Sequence, residues 1–174
     1  MLPEDQAREL HRGRYLTLQE RRGWEFIHRL HPVVVMVAWT PDDELVLVEQ
    51  YREPLQASTI ELPAGLVGDE AGHEDEGLLL AAARELEEET GWRAGSMAEI
   101  MRCPTSAGMS DEIAVFIRAS ELVKVGEGGG TPSENITVHV VARDRIDRWL
   151  DEQREDGKQL DPKIYSVLHW SRTR

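Results

Sequence analysis

The sequence predicts an α+β fold in which strands outnumber helices. Three observations predict it: short apolar or alternating segments recur through the first half, one long helical pattern ends at Gly91, and two amphipathic helical patterns close the chain. Strands and helices do not alternate regularly, which argues against repeated βαβ units. A chain of 174 residues is long enough for one domain with a substantial core.

The first half of the chain reads mainly as strands. Residues 14–18 and 24–28 are expected to be short strands on either side of a charged turn. The apolar run at 33–39 predicts a buried strand over 32–39, and a Pro/Asp turn at 40–43 leads into a strand over 44–51. A short strand then runs into a Pro/Gly loop within 58–65.

The second half combines the central helix with further strands and a helical tail. The helix is expected from about Asp75 to Gly91, since glycine readily adopts the left-handed conformation that ends helices. Strands follow at 97–102, 112–119 and 135–141. The two terminal helices are predicted to bury one apolar face each, formed by Ile146, Trp149 and Leu150 and by Ile164, Val167 and Leu168.

Composition excludes several classes of function. The formal net charge of −13 leaves no surplus of Lys and Arg, so we expect no binding to a nucleic-acid polymer. The longest apolar run is too short to cross a bilayer, and the first residues lack a signal-peptide pattern, so no membrane association is expected. Cys103 is the single cysteine, which is typical of a reducing cytoplasm and predicts a cytoplasmic protein.

The central helix carries an unusual concentration of negative charge. At 100° per residue, the side chains of Glu85, Glu88 and Glu89 fall within an arc of about 100°. This arc borders the predicted buried side, formed by Leu79, Ala82 and Leu86, whereas Glu87 points away. Carboxylate oxygens are ligands that Mg²⁺ or Mn²⁺ prefers. The alternative is a surface helix that is simply rich in glutamate, a strong helix former.

The segment 84–92, RELEEETGW, resembles the core of the Nudix box. The matching residues are Arg84, Glu85, Leu86, Glu88, Glu89, Gly91 and Trp92. Glu76 matches the earlier glutamate of the box, although Glu70 or Glu74 could take its role, and Gly65 matches its first glycine across a longer loop. The resemblance implies an α/β/α sandwich with a mixed sheet, made of an N-terminal β extension (1–30) and a Nudix hydrolase domain (31–174).

The same resemblance implies a divalent-cation site on this helix. Glu85 and Glu89 would be the principal ligands of Mg²⁺, with Mn²⁺ as a substitute. Glu88 would be a shared ligand or a neighbour of the ligands, and the carbonyl of Ala64 would add a further oxygen. Arg84 would orient the carboxylates, and both Arg84 and Glu88 would count among the catalytic residues. Simple pairing on the helix surface is the alternative for Arg84.

Three further segments resemble the ADP-ribose and nucleotide-sugar pyrophosphatase branch of this family. In 49–54 and 60–65, Arg52 would lie near the substrate and Glu61 beside the metal loop; a strand-end ion pair and a capping carboxylate are the alternatives. In 104–112, the residues expected to contact ribose hydroxyls or a water are Ser110, Asp111 and Glu112, unless this is only a Ser/Gly turn.

The general base and the nucleobase contacts are also implied by the resemblance. Glu134 follows a glycine-rich stretch and is the candidate base, with Glu127 in reserve and Glu112 as a further alternative. Trp24 or Phe26 would stack on the nucleobase, or else belong to the core or to a dimer interface. Because such N-terminal strands are often exchanged between subunits in this branch, a homodimer is expected.

The predicted function is Mg²⁺-dependent hydrolysis of the diphosphate in ADP-ribose or a related nucleoside diphosphate sugar. The products would be a nucleoside monophosphate and a sugar phosphate, so the partner is a small-molecule nucleotide sugar. The first alternative is another substrate of the same kind, such as GDP-mannose. The second is a module that binds nucleotides without catalysis, which the retention of all the helical glutamates argues against.

Overall fold

The computed structural model describes residues 6–68, 72, 76–131 and 135–172. Within them, the chain forms eleven strands and three helices. The strands are β1 (Arg8–Arg12), β2 (Thr17–Arg21), β3 (Trp24–His28), β4 (Val33–Ala38), β5 (Glu44–Arg52), β6 (Ala57–Glu61), β7 (Ala64–Leu66), β8 (Trp92–Pro104), β9 (Ile113–Lys124), β10 (Thr137–Ala142) and β11 (Gln159–Leu160). The helices are α1 (Leu78–Thr90), α2 (Ile146–Glu155) and α3 (Pro162–Arg172).

These strands form three sheets. The orders are β1-β2-β3, β7-β4-β9-β8 and β10-β5-β6-β11. The β4–β9 and β6–β11 pairs are parallel, whereas the other strand pairs are antiparallel. The two larger sheets are therefore mixed, as predicted.

Strand β4 separates two apolar cores and explains the layered architecture. Val35 and Val37 belong to a core shared with α2 and α3, whereas Val34 and Met36 belong to a core shared with α1. Because successive side chains of a strand point to opposite faces, both faces of β4 are buried, which accounts for its uninterrupted apolar sequence. Helices thus cover both sides of the sheets, and the predicted α/β/α class is confirmed.

Several predicted boundaries were wrong for physical reasons. The hairpin between β2 and β3 has a two-residue turn, Arg22–Gly23, with φ of 55° and 81°, so β2 lies three residues later than predicted. Strands β1 and β11 were missed, because β1 is exposed throughout and β11 has only two residues. Helix α1 begins at Leu78 rather than near residue 75, which lies outside the described residues. Leu79 in its first turn is 44% exposed, so its predicted burial was wrong.

The N-terminal sheet is attached to the loop that precedes β9. The Ile27 amide donates to the Met109 carbonyl at 2.8 Å, and the Asp111 amide donates to the Ile27 carbonyl at 3.2 Å. The side chains of His28 and Asp111 also meet at 2.6 Å. These contacts bring the end of β3 to the loop that was predicted to contact ribose.

A polar cluster joins β5, β10 and the segment after α2. The Glu49 carboxylate accepts hydrogen bonds from Lys158 Nζ at 2.8 Å and from His139 Nε2 at 3.1 Å. Burial alone would raise the pKa of Glu49, but these two hydrogen bonds outweigh it and lower that pKa below its ordinary value. The cluster therefore contributes stability only while Glu49 is ionised.

None of the described helices is long and apolar enough to cross a membrane.

Candidate active site

Helix α1 places its carboxylates at the border between core and solvent. Ala82 and Leu86 are fully buried against the sheet, and Glu89 is only 6% exposed. The helix ends at Gly91, whose φ is 68° and whose amide donates to the Glu87 carbonyl at 2.8 Å. The predicted ridge of carboxylates therefore exists, with Glu89 buried and the Glu88 side chain about half exposed.

Arg84 lies among three carboxylates. Its guanidinium nitrogens lie 3.0 Å from Glu85 Oε1, 3.1 Å from Glu88 Oε2 and 3.4 Å from Glu76 Oε2. The Arg84 side chain is only 14% exposed, so water screens these attractions weakly. Glu70 and Glu74, the alternatives for Glu76, lie outside the described residues.

The strand β7 approaches α1 closely at two residues. The Ala64 amide donates to Glu89 Oε2 at 3.1 Å. A Cβ atom on Gly65 would lie 2.3 Å from Cγ and Cδ of Glu85, well inside van der Waals contact. Only glycine leaves room for the Glu85 side chain in this position, which gives a physical reason for the glycine in the motif.

The Arg52–Glu61 ion pair joins the neighbouring strands β5 and β6. Arg52 Nε donates to Glu61 Oε1 at 2.6 Å, and Nη2 donates to Oε2 at 2.7 Å. The hydrogen bond to Glu61 is the main reason why the pKa of Arg52 is raised. Arg52 lies opposite Ala57 on β6, and Ala57 is four residues before Glu61. To reach Glu61, the Arg52 side chain therefore extends along the sheet past Thr59, which lies between them on the same face. Thr59 is buried, and its hydroxyl is one of the few buried polar groups in the described chain without a hydrogen-bond partner.

These features surround one open cavity of about 720 Å³. Its walls come from β5, β6, β7, α1, the loop before β9 and the start of α3. The predicted site residues that line it are Arg52, Glu61, Ala64, Glu85, Glu88, Glu89 and Glu112. A volume of this size is typical of small-molecule binding sites.

Other predicted residues lie elsewhere in the structure. Arg84 contacts the carboxylates but does not line the cavity, and Ser110 and Asp111 lie next to β3. Trp24 is 64% exposed on the N-terminal sheet, whereas Phe26 is partly covered by Arg21, whose guanidinium lies 5.4 Å from the ring centre. Glu134 lies outside the described residues.

The sequence reasoning missed several polar residues of this cavity. Gln50 shares its strand face with Arg52, and this period-two relation was sufficient to predict it. Arg29 pairs with Glu112 at 2.7 Å, and Lys163 pairs with Asp161 at the start of α3. No local pattern marked these last two cations, because tertiary packing alone brings them to the cavity.

The side chains of the site have the right chemistry for a hard divalent cation. Glu85, Glu88 and Glu89 supply carboxylate oxygens along one wall, and Gly65 leaves space beside them. Among the residues described, no group of three or more acidic, histidine or cysteine side chains is arranged so that it could hold a metal as it stands. In the structure, Glu85 and Glu88 are each paired with Arg84.

The NUDIX domain family model matches residues 29–166, which is most of the chain. The chain belongs to the NUDIX domain family. The match begins just after β3, so it includes all the cavity walls described above. The resemblance of segment 84–92 to the Nudix box is thus confirmed at the level of the family.

Curated relatives and a solved structure resemble this Nudix chain. A methanol dehydrogenase activator from Bacillus methanolicus is 37% identical over 123 residues, 70% of this chain and 60% of that protein. An ADP-ribose pyrophosphatase from Bacillus subtilis is 41% identical over 93 residues, 53% of this chain and 48% of that protein. The chain therefore spans about half of the length of these relatives. The crystal structure of an ADP compounds hydrolase matches with a TM-score of 0.64 at 19% identity, covering 84% of this chain and 80% of that one, and supports the fold.

Proposed function

We propose that this Nudix chain hydrolyses the diphosphate bond of ADP-ribose or a closely related nucleoside diphosphate sugar. One observation carries the proposal: a single cavity of about 720 Å³ has the helical carboxylates on one wall and Arg52 on another. A diphosphate needs both kinds of group, because cations must offset its charge and the carboxylates must hold the divalent ion that accompanies it.

The cofactor would be Mg²⁺, with Mn²⁺ as a substitute. Glu85, Glu88 and Glu89 would hold it, and the carbonyl of Ala64 would add an oxygen. When bound, the ion would screen the diphosphate charge and stabilise the charge that develops at the attacked phosphorus. This accounts for an anionic substrate on a chain whose formal net charge is −13.

The chain's own residues would bind and orient the substrate. Arg52 and Arg29 line the cavity and are already held by carboxylates, so each guanidinium is in place before a phosphate arrives. Arg84 would orient Glu85 and Glu88 from outside the cavity. The pKa of Arg52 is raised, so this residue stays charged at any physiological pH.

The reaction would transfer either the nucleotidyl group or the sugar-phosphoryl group of the substrate to water. A carboxylate takes a proton from the water, the water oxygen bonds to one phosphorus, and the bridging P–O bond breaks. With ADP-ribose, the two products are AMP and ribose 5-phosphate. Glu134 is our candidate for the base. Among the described alternatives, Glu112 lines the cavity, whereas Glu127 is exposed and does not.

The name of one relative favours ADP-ribose among the nucleoside diphosphate sugars. The B. subtilis protein called an ADP-ribose pyrophosphatase aligns with 53% of this chain at 41% identity. A panel of ADP-ribose, GDP-mannose and other nucleotide sugars, assayed with Mg²⁺ for released phosphomonoester, tests the choice. We expect the highest kcat/KM for ADP-ribose; a higher value for another sugar would move the assignment to that substrate.

The Glu89→Gln variant tests the chemistry itself. It keeps the side-chain shape and an oxygen that can accept the hydrogen bond from the Ala64 amide, but it removes the negative charge. We expect turnover to fall by about two orders of magnitude or more, since an interaction with developing charge is lost. Unchanged turnover would contradict the metal assignment. A wild-type chain that binds nucleotide sugars and hydrolyses none of them would instead identify a silent binding module.

We also propose that residues 1–30 form an extension through which two chains associate. In its described part, the three-stranded sheet and the loop between β1 and β2 expose several large apolar side chains: Leu10, Tyr15, Leu16 and Trp24. A second copy of the chain would cover this surface.

A further inference from the structure

The last turn of α1 carries its charges at the unfavourable end of the helix. Glu87, Glu88 and Glu89 lie where the helix dipole is negative, and the last turn contains no basic residue. Glu89 also lies four residues after Glu85, and like charges at this spacing repel each other. This turn, which carries two of the proposed metal ligands, would therefore fray if the helix stood alone.

Donors from outside the helix stabilise this turn. The Gly130 amide donates to the Glu88 carbonyl at 3.1 Å, and the Gly129 amide donates to the Glu89 carbonyl at 2.7 Å. Lys124 Nζ donates to the Thr90 carbonyl at 2.8 Å. Together with the Gly91 amide on Glu87, they give a donor to each of the last four carbonyls, which helices ordinarily leave unsatisfied. Lys124, at the end of β9, supplies the cation that the last turn of the helix lacks.

Glycine allows the loop after β9 to lie this close. Gly128 has a φ of 76°, and a Cβ there would lie 2.4 Å from the Thr90 carbonyl carbon and 2.6 Å from the Glu89 oxygen. These atoms belong to the helix backbone, so they cannot turn aside as a side chain would. A Cβ on Gly126, in contrast, would meet nothing within 4 Å. A side chain at position 128 would therefore clash with the helix backbone, whereas one at position 126 would not.

We propose that Lys124 and residues 128–130, here called the helix clamp, set the affinity of the site for its divalent cation. The inference rests on the proposed metal site. Because the helix clamp already fixes the backbone of Glu88 and Glu89, these ligands lose less conformational entropy when an ion binds. Lys124 does not line the cavity, so it acts as a positioning residue. The same loop continues to Thr131, which does line the cavity.

Two pairs of variants separate this role from general stability. Gly128→Ala expels the loop from the helix, and Gly126→Ala is its control because it adds the same methyl group in open space. Lys124→Met removes the cation, and Arg118→Met is its control because it removes one from an exposed position of the same strand. Calorimetry with Mn²⁺ alone, without nucleotide, measures affinity, and thermal unfolding without metal checks that each variant folds.

We expect Gly128→Ala and Lys124→Met to bind Mn²⁺ about tenfold more weakly than the wild type, as is typical when groups that support metal ligands are lost. The two controls should bind as the wild type does. If Gly128→Ala does not fold, Lys124→Met with its control decides. Lower thermal stability at unchanged Mn²⁺ affinity would overturn the helix clamp and leave the proposed function intact. A wild-type chain that binds no Mn²⁺ would overturn both.

Discussion

Replacing Arg52 by methionine tests both interpretations of this residue, as a structural ion pair and as a substrate contact. Glu61 is 7% exposed, so removing Arg52 would leave a buried carboxylate without its cation. Breaking a fully buried pair costs about 3–5 kcal/mol, and an exposed pair about 0–1 kcal/mol. Because 41% of the Arg52 side chain is exposed, water would replace part of its contacts, and we expect a loss of about 2 kcal/mol. For a domain of this size that lowers Tm by roughly 4–8 °C.

The measurement is a double-mutant cycle of Arg52→Met and Glu61→Gln, in which denaturant unfolding at neutral pH gives the stability of each variant. The double variant should be more stable than Arg52→Met alone, since the uncompensated carboxylate is gone. In the same variants, the loss of Arg52 should raise KM for ADP-ribose roughly tenfold or more, because a hydrogen bond to a charged phosphate is worth about 1.5–3 kcal/mol. Additive effects on stability would refute the ion-pair argument, and an unchanged KM would refute the substrate contact.

Three further predictions concern other parts of the chain. Gly65→Ala should displace the Glu85 side chain and weaken Mn²⁺ binding about tenfold, with little change in Tm because that side chain is flexible; equal affinity in calorimetry would contradict the steric argument. Glu49→Gln should destabilise the chain most near neutral pH, and the difference from wild type should shrink below about pH 4. The reason is that a carboxylate with a lowered pKa contributes to stability only while it is ionised. Unfolding measured as a function of pH tests this, and Asp151→Asn, a change in a surface ion pair, should show no such trend. Trp24→Glu should convert a dimer into a monomer in sedimentation with little loss of Tm, and a wild-type chain that sediments as a monomer would refute the proposed association.

The parts of the fold that were predictable are those in which burial and local pattern agree. The apolar run of β4 and the helix that ends at Gly91 were found because one feature, burial on both faces or a left-handed terminator, determines each. Strand β11 was not predictable, since its two residues are a strand only through pairing with β6. Strand β1 has no apolar periodicity either, because all of its residues are exposed.

The candidate site divides in the same way. Helical geometry alone placed Glu85 and Glu89 at the edge of the buried face, and the structure bears this out. Arg29 and Lys163 reach the cavity from the end of the N-terminal sheet and from α3, far apart in sequence. Their positions depend on how elements that are distant in sequence pack together, and no single segment contains that information.

Three features of the site would oppose folding if nothing compensated them. Glu61 and Glu89 are buried carboxylates, and the last turn of α1 places negative charge at the negative end of a dipole. The structure compensates them with Arg52, with the Ala64 amide and with donors from the glycine loop. Arg84 pairs with Glu76, Glu85 and Glu88, so its one positive charge is shared among three negative ones. The divalent cation that we propose would add positive charge beside these carboxylates.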